Sequence, residues 1–265
     1  MYSLRLICPH EEVDLASLEL WEAGTVGIRE IEGDDDITLI AGFEGNERRS
    51  ELLDQFAAFA PEWHSEDAID WIAVSHEAWQ PREIGDRIFL APHWSEAPTP
   101  TGRLRLVHNP GLACGTGEHP CTQLALIAIE KAVTFGCTLV DVGGGSGILG
   151  IAALHLGAAH AICADIDYVA LTTARENFGL NDFHADLVCG SAECIAGKCA
   201  DVTVANISGT VLLMLCEELV RITNRPGTLI VTGFPEAESA TFQDLLPGAE
   251  LSEIDGWCCI TAKLS

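Results

Sequence analysis

Apolar positions along the first 66 residues alternate between the periods of strands and helices. Short apolar runs predict strands, and apolar residues at helical spacing predict helices. The predicted strands cover residues 2–8, 25–31, 37–43 and 62–66, and the predicted helices 11–23 and 46–60. This order of elements is the ferredoxin-like split pattern. We therefore predict a small α+β ferredoxin-like N-terminal domain over residues 1–66.

The pattern changes twice further along the chain. Residues 67–110 are rich in Pro and Trp, and predict a linker with a small strand pair. From about residue 120, apolar strands alternate with helices, which favours an α/β domain with a mostly parallel sheet covered on both faces. Strands are expected at residues 138–142, 161–165, 187–189, 202–205 and 228–232 and in a C-terminal pair, and helices at 124–133, 148–156, 168–178 and 210–222. The second domain is placed at residues 111–265.

The chain is strongly acidic, with 14 Lys and Arg against 40 Asp and Glu and a formal charge of −26. A surface of this sign argues against direct nucleic-acid binding and against an anionic membrane, because both need clustered basic residues. Residues 1–70 hold 18 acids and 4 bases, a net charge of −14, so about a quarter of the chain carries over half of the imbalance. Such a module would attract a basic protein, although solubility alone would also explain it.

Eleven cysteines do not form a recognisable disulfide or metal pattern. No Cys-x-x-Cys pair occurs, and Cys189, Cys194 and Cys199 have no neighbouring His to complete a metal set. The first residues lack the basic start and apolar core of a signal peptide. We therefore expect a reduced, cytoplasmic protein without a metal.

A glycine-rich turn, Asp141-Val142-Gly143-Gly144-Gly145-Ser146-Gly147, lies between a predicted strand and a predicted helix. Glycines let a ligand approach the backbone, and the helix start offers free amides. Asp165 ends the next strand, where a carboxylate can accept hydrogen bonds from ribose hydroxyls. A dinucleotide fingerprint would need Gly at position 148, which is Ile. The pattern therefore favours S-adenosylmethionine over a nicotinamide cofactor.

Three further segments are expected at the same edge of the sheet. The turn Gly115-Thr116-Gly117-Glu118-His119 runs into a helix, and Gly190-Ser191-Ala192 follows the third strand, where it could meet an adenine edge. Asn206 follows the fourth strand, although an Asn there could also serve only as a helix cap.

These motifs together resemble the bacterial methyltransferases that act on protein eleven of the large ribosomal subunit. The resemblance rests on residues 79–81, 89–94, 111–122, 141–149, 165–167 and 204–207. The Gly-Thr-Gly-x-His segment joined to this glycine turn is specific, whereas the turn alone fits any class I methyltransferase. The family implies a class I, Rossmann-like methyltransferase domain and a substrate-recognition domain before it.

The resemblance also implies a function and a set of residues. It implies an S-adenosylmethionine-dependent N-methyltransferase whose acceptors are the N-terminal amine and lysine amines of a basic ribosomal protein. It further implies that Thr122, Gly143, Asp165 and Asn206 contact the cofactor, and Cys114 stands where the family has a Phe beside it. The full predicted cofactor-binding set is Cys114, Gly115, Thr116, Thr122, Asp141, Gly143, Gly145, Asp165, Ile166, Ser191, Ala192 and Asn206, with Asn206 also the predicted catalytic residue.

Other functions fit parts of the sequence. The chain could methylate another protein or a small amine. It could also be a binding module that keeps the pocket without catalysis. A nicotinamide oxidoreductase is disfavoured by Ile148.

Overall fold

The computed structural model describes residues 2–33, 36–65, 79–109 and 117–265. The chain divides into two compact units, residues 1–78 and residues 79–265. Each unit has its own apolar core.

In its described residues, the first unit is an antiparallel sheet with two α-helices. Its elements are β1 (Tyr2–Pro9), α1 (Val13–Glu22), β2 (Gly27–Glu32), β3 (Asp36–Phe43), α2 (Arg49–Gln55) and β4 (Glu62–Ser65). The sheet order β2-β3-β1-β4 is that of the ferredoxin-like split. The predicted N-terminal fold is confirmed.

Alternation along the strands gives this sheet one core face. Leu4 and Leu6 of β1 and Leu39 of β3 are fully buried and belong to one cluster with Leu20 of α1 and Phe56, just after α2. Because side chains alternate across a strand, the intervening residues of β1 lie on the opposite face.

The second unit contains a seven-stranded sheet. Its strands are β8 (Thr138–Val142), β9 (His160–Asp165), β10 (Asp186–Cys189), β11 (Ala200–Asn206), β12 (Thr223–Pro235), β13 (Glu250–Ile254) and β14 (Trp257–Leu264). The order is β10-β9-β8-β11-β12-β14-β13, parallel from β10 to β12 and antiparallel where β14 pairs with β12 and β13. The predicted class I methyltransferase fold is confirmed.

Helices cover both faces of this sheet. They are α3 (Pro120–Ala132), α4 (Ile148–Leu156), α5 (Tyr168–Leu180), α6 (Gly209–Ile222) and α7 (Ser239–Leu245). Residues of α3, α4 and α5 share one buried cluster with Leu139, whereas α6 and α7 share the other with Val140 and Val142. Neighbouring residues of β8 therefore pack into the cores on opposite faces of the sheet, as in a strand that is buried on both sides.

Much of the predicted linker 67–110 belongs to the second unit instead. Three strands, β5 (Arg82–Ile84), β6 (Ile88–Pro92) and β7 (Leu104–His108), form a small sheet in which β6 and β7 are parallel. Ile88 and Leu106 are buried in the same cluster as α3 and α4. Short apolar runs between prolines thus build a packed sheet, because α3 and α4 supply the surface that covers them.

An asparagine directly after α5 closes the edge of this small sheet. Asn181 Oδ1 accepts a hydrogen bond from the Val107 amide at 2.9 Å, and Asn181 Nδ2 donates to the Val107 carbonyl at 2.7 Å. The next amide, that of Asn109, donates to Asn177 Oδ1 at 2.9 Å. The side chains of Asn177 and Asn181 thereby satisfy backbone groups that no further strand pairs.

Among the described residues, no helix is both long enough and apolar enough to cross a bilayer.

Candidate active site

The glycine turn between β8 and α4 is shaped by close packing. Gly143 has φ +75°, and a Cβ on it would collide with Cγ2 of Ile207. A Cβ on Gly144 would collide with the thiol of Cys163 on β9. The turn therefore has no room for side chains at these two positions, which leaves its backbone open on the ligand side.

Asp165, at the end of β9, is held by the backbone. Its Oδ2 accepts a hydrogen bond from the Gly145 amide at 2.8 Å, and its Oδ1 accepts one from the Asp167 amide at 2.9 Å. Asp167 in turn caps α5 by accepting from the Val169 amide at 2.8 Å. The carboxylate is thus fixed at the carboxyl edge of the sheet, with lone pairs left over for a ligand.

A cavity of about 430 Å³ opens at this edge. This volume lies within the range of roughly 300–1,000 Å³ that is typical of small-molecule sites. It is lined by Val142, Gly143, Gly144, Gly145, Ile148, Leu149, Asp165, Ile166, Gly190, Ser191, Asn206, Ile207, Ser208, Val211, Met214 and Leu215. The cavity is therefore mostly apolar, with a small number of polar groups from the glycine turn and the strand ends.

Asn206 lines the cavity at the end of β11, and a hydrogen bond to a residue of α3 orients its side chain. Its Nδ2 donates to Thr122 Oγ1 at 3.2 Å, and Thr122 is buried in the first turn of α3. The N-terminus of α3 is fixed by His119, whose Nδ1 accepts from the Cys121 amide at 3.3 Å and whose ring contacts Trp257 edge-on. Because the amide nitrogen bonds Thr122, the carbonyl oxygen of the same amide is the group that can accept a hydrogen bond from a substrate.

Asp141 lies beneath the turn rather than on the cavity wall. It is fully buried. Burial and then the nearby carboxylate of Asp165 raise the pKa of Asp141 from 3.8 to about 7. A buried carboxyl group whose pKa is raised toward neutrality therefore lies directly beneath the turn.

The structure brings together six of the predicted cofactor-binding residues. Gly143, Gly145, Asp165, Ile166, Ser191 and Asn206 all line the cavity. Thr122 is not part of the lining but accepts a hydrogen bond from Asn206, which is. Ala192, next to Ser191 in the chain, is fully buried. The predicted residues Cys114, Gly115 and Thr116 lie outside the described residues. The roles of all these residues remain predictions.

No group of three or more His, Cys, Asp or Glu side chains is arranged to hold a metal ion within the part of the chain that the structure describes.

Comparison with known proteins places this site in a family. The model of the family described as "Ribosomal protein L11 methyltransferase (PrmA)" matches residues 20–265. The chain belongs to this family. The resemblance drawn from the motifs is thereby confirmed.

Individual relatives agree with the family model. The chain is 35% identical over 205 residues to a ribosomal protein L11 methyltransferase of Symbiobacterium thermophilum, covering 76% of this chain and 67% of the relative. It is 38% identical over 202 residues to one of Clostridium botulinum, covering 74% and 64%. The chain therefore spans about two thirds of the length of these curated relatives.

A solved structure supports the fold over much of the chain. The crystal structure of ribosomal protein L11 methylase from Lactobacillus delbrueckii subsp. bulgaricus superposes with a TM-score of 0.63 at 28% identity. The superposition covers 71% of this chain and 99% of that protein.

One wall of the cavity in this family member was not predicted. Val211, Met214 and Leu215 of α6 line it, and Met214 is 72% exposed. From the sequence, this segment is predicted only as a helix over residues 210–222, without a part in the site. The available signal was the i, i+3, i+4 spacing of these residues, which places them on one helix face directly after Ser208.

Proposed function

We propose that the chain is an S-adenosylmethionine-dependent methyltransferase whose substrate is ribosomal protein L11. The observation that carries this proposal is the convergence of the glycine turn, Asp165 and Asn206 on one cavity. The family relationship supplies the substrate, since the curated relatives are ribosomal protein L11 methyltransferases.

The cavity fits the proposed cofactor. The open backbone of residues 143–145 leaves space for the methionine part, and the fixed carboxylate of Asp165 suits the two ribose hydroxyls. Ser191, after β10, lies where it can border the adenine, and the exposed Ile166 can cover its face. When bound, the cofactor supplies an electrophilic methyl group on a sulfonium.

Asn206 is the residue proposed to position the acceptor. Its side-chain carbonyl oxygen accepts a hydrogen bond from the attacking amine, and Thr122 keeps the amide in the orientation that allows this. Catalysis in such an in-line displacement depends mostly on alignment of the reacting atoms. Transfer forms an N–C bond as the S–C bond breaks, and the proton of the amine leaves to solvent.

The acceptors proposed are the N-terminal amine and lysine amines of L11. The attacking nitrogen must be neutral, and a lysine with a pKa near 10.4 is neutral in only about one molecule in a few thousand at pH 7. An apolar cavity wall such as that of Val211 and Leu215 disfavours the charged ammonium and helps to release its proton.

The first unit is proposed to recognise the substrate protein. Residues 1–70 carry a net charge of −14, which suits a basic partner. The cofactor and catalytic groups named above all belong to the second unit.

Methyl transfer from radiolabelled S-adenosylmethionine tests the proposal. Purified L11 and whole-cell extract are supplied separately, and intact mass and peptide mapping locate the added methyl groups. We expect labelling of L11 at amines. Labelling of a different protein or a small amine in the extract would replace the substrate, whereas cofactor binding without transfer to anything would point to a non-catalytic module.

A further inference from the structure

Helix α1 of the first unit carries apolar side chains on its outer face. Leu15 is 58% exposed, Leu18 is 56% exposed and Trp21 is 41% exposed. The three are spaced at i, i+3 and i+6, so they follow one side of the helix. We refer to Leu15, Leu18 and Trp21 as the α1 surface.

The core contacts of α1 are made by its other side. Val13, Ala16 and Leu20, on the opposite side of α1, are the residues buried in the core. A soluble helix typically turns charged or polar residues outward. Two leucines and a tryptophan in that place leave apolar area that binding to another molecule would bury.

The charge around the α1 surface has one sign. Residues 10–22 contain five acids and no Lys or Arg. Among these acids, Glu12 is exposed and Glu19 half-buried. A molecule that covers the α1 surface would therefore be drawn there by positive charge.

The acidic character continues past the end of α1. A cavity of about 210 Å³ next to it is lined by Ala23 and the exposed Val26, with Glu44 and Glu47 at its edge. The one cation of this cavity, Arg48, is already engaged: its guanidinium pairs with Glu51 at 2.7 Å and donates to the Ala23 carbonyl at 2.8 Å.

The opposite face of the same sheet makes a contrast. Ile7 and Ile31 there are 40% and 41% exposed, much like Trp21. They lie beside Arg5 and Arg29, however, which flank Ile40 across three adjacent strands. Two of the four basic residues of the first 70 positions thus lie on this open sheet face, which makes it the poorer match for a basic partner.

We propose that the α1 surface is the docking site for a basic, amphipathic segment of the substrate protein. This inference rests on the proposed function, since it takes L11 as the partner. Apolar side chains of that segment cover Leu15, Leu18 and Trp21, and its Lys or Arg side chains meet the carboxylates around them. The contact anchors the substrate protein without taking part in methyl transfer.

The test compares two double variants of the full chain in the L11 methylation assay. Leu15→Ala with Leu18→Ala removes the centre of the α1 surface, and Ile7→Ala with Ile31→Ala removes matched area from the open sheet face. We expect the first pair to raise KM for L11 about tenfold or more, with kcat and the Kd for S-adenosylhomocysteine unchanged. The second pair should leave all three within about twofold.

The outcomes are distinct. An unchanged KM in the α1 variant, with circular dichroism and Tm like those of the wild type, overturns the docking site while leaving the proposed function intact. A larger effect of the Ile7 and Ile31 variant moves the docking site to the open sheet face. Failure of the wild-type chain to methylate L11 overturns the proposed function and this inference together.

A second measurement separates docking from self-association. Light scattering of the wild-type chain and of the Leu15, Leu18 variant should give the same mass. A wild-type dimer that becomes a monomer in the variant would assign the α1 surface to a second copy of the chain and overturn the proposal.

Discussion

The polar groups of the cavity at the edge of the large sheet and the residues around the α1 surface differ in how firmly the chain holds them. Asp165 is bonded through both oxygens to backbone amides, and Asn206 is oriented by a buried threonine. Around α1, Glu12, Leu15 and Leu18 are exposed to solvent. The proposed chemistry at the cavity would thus use prearranged groups, whereas the proposed recognition of a protein would use accumulated charge and exposed apolar area.

The largest expected effect follows from Asn206→Ala. Loss of the amide should lower kcat by about a hundredfold or more, because alignment of the acceptor is lost in the transition state. The Kd for S-adenosylhomocysteine should change by no more than about threefold. Steady-state kinetics and calorimetry measure the two. Equal losses in both, or in neither, would contradict the positioning role.

Thr122→Val tests the orientation of the Asn206 amide separately from its presence. It keeps the side-chain shape and removes the hydroxyl that accepts from Asn206 Nδ2. A fall in kcat of about five- to tenfold is expected, since the amide is then less well oriented but still present.

Asp165→Ala should act on binding rather than on turnover. Removing a charge-assisted acceptor for the ribose should weaken the cofactor Kd by about 10- to 100-fold, as measured by calorimetry. Asp165→Asn keeps one acceptor oxygen and should therefore weaken cofactor binding less than Asp165→Ala does. An unchanged Kd in the alanine variant would show that the ribose lies elsewhere.

The raised pKa of Asp141 predicts a pH-dependent stability. The folded state holds a proton that the unfolded state releases near pH 4, so this group's contribution to stability is complete below that pH and is lost as the pH rises through about 7. The stability of Asp141→Asn should therefore rise relative to that of the wild type as the pH increases across this window. The folding equilibrium constants of the two should diverge by up to about tenfold per pH unit.

Urea unfolding without cofactor at stepped pH measures that difference. Asp186→Asn, at an exposed position on the first residue of β10, is the control and should track the wild type. A pH-independent difference between Asp141→Asn and the wild type would mean that Asp141 is ionised throughout.

The smallest expected effect is that of salt. Raising the salt concentration from 50 to 200 mM should increase KM for L11 by about two- to fivefold, since charges at an exposed surface are screened. The Kd for S-adenosylhomocysteine should change by less than about twofold, because the ribose hydroxyls are uncharged. Equal sensitivity of both would remove the distinction between the two regions.

Most of the architecture could be predicted from periodicity. The strand and helix of the glycine turn, β8 and α4, match the predicted residues 138–142 and 148–156, because a short strand rich in Leu and Val followed by glycines is locally unambiguous. The strand β7 was not predicted, because its sequence Leu-Arg-Leu-Val-His becomes a strand only against β6 and α4.

The site was predictable where its residues follow strand ends. Asp165 and Asn206 could be placed from topology alone, since parallel strands bring their carboxyl ends together. The burial of Asp141 could not, because it depends on how the chain packs across the sheet rather than on local spacing. The helical spacing of Met214 with Val211 and Leu215 was visible in the sequence, but not that this helix face lines a cavity.

The side chain of Asn181 has a consequence for the chain in a crowded cell. An unpaired edge strand can recruit a strand from a neighbouring molecule, which is a first step toward aggregation. At Val107 that recruiting position is already taken, because the amide of Asn181 copies the donor and acceptor of a neighbouring backbone. Asn181 thereby blocks strand pairing at this edge, and replacing it by Leu would leave the Val107 amide and carbonyl open to a strand of another molecule.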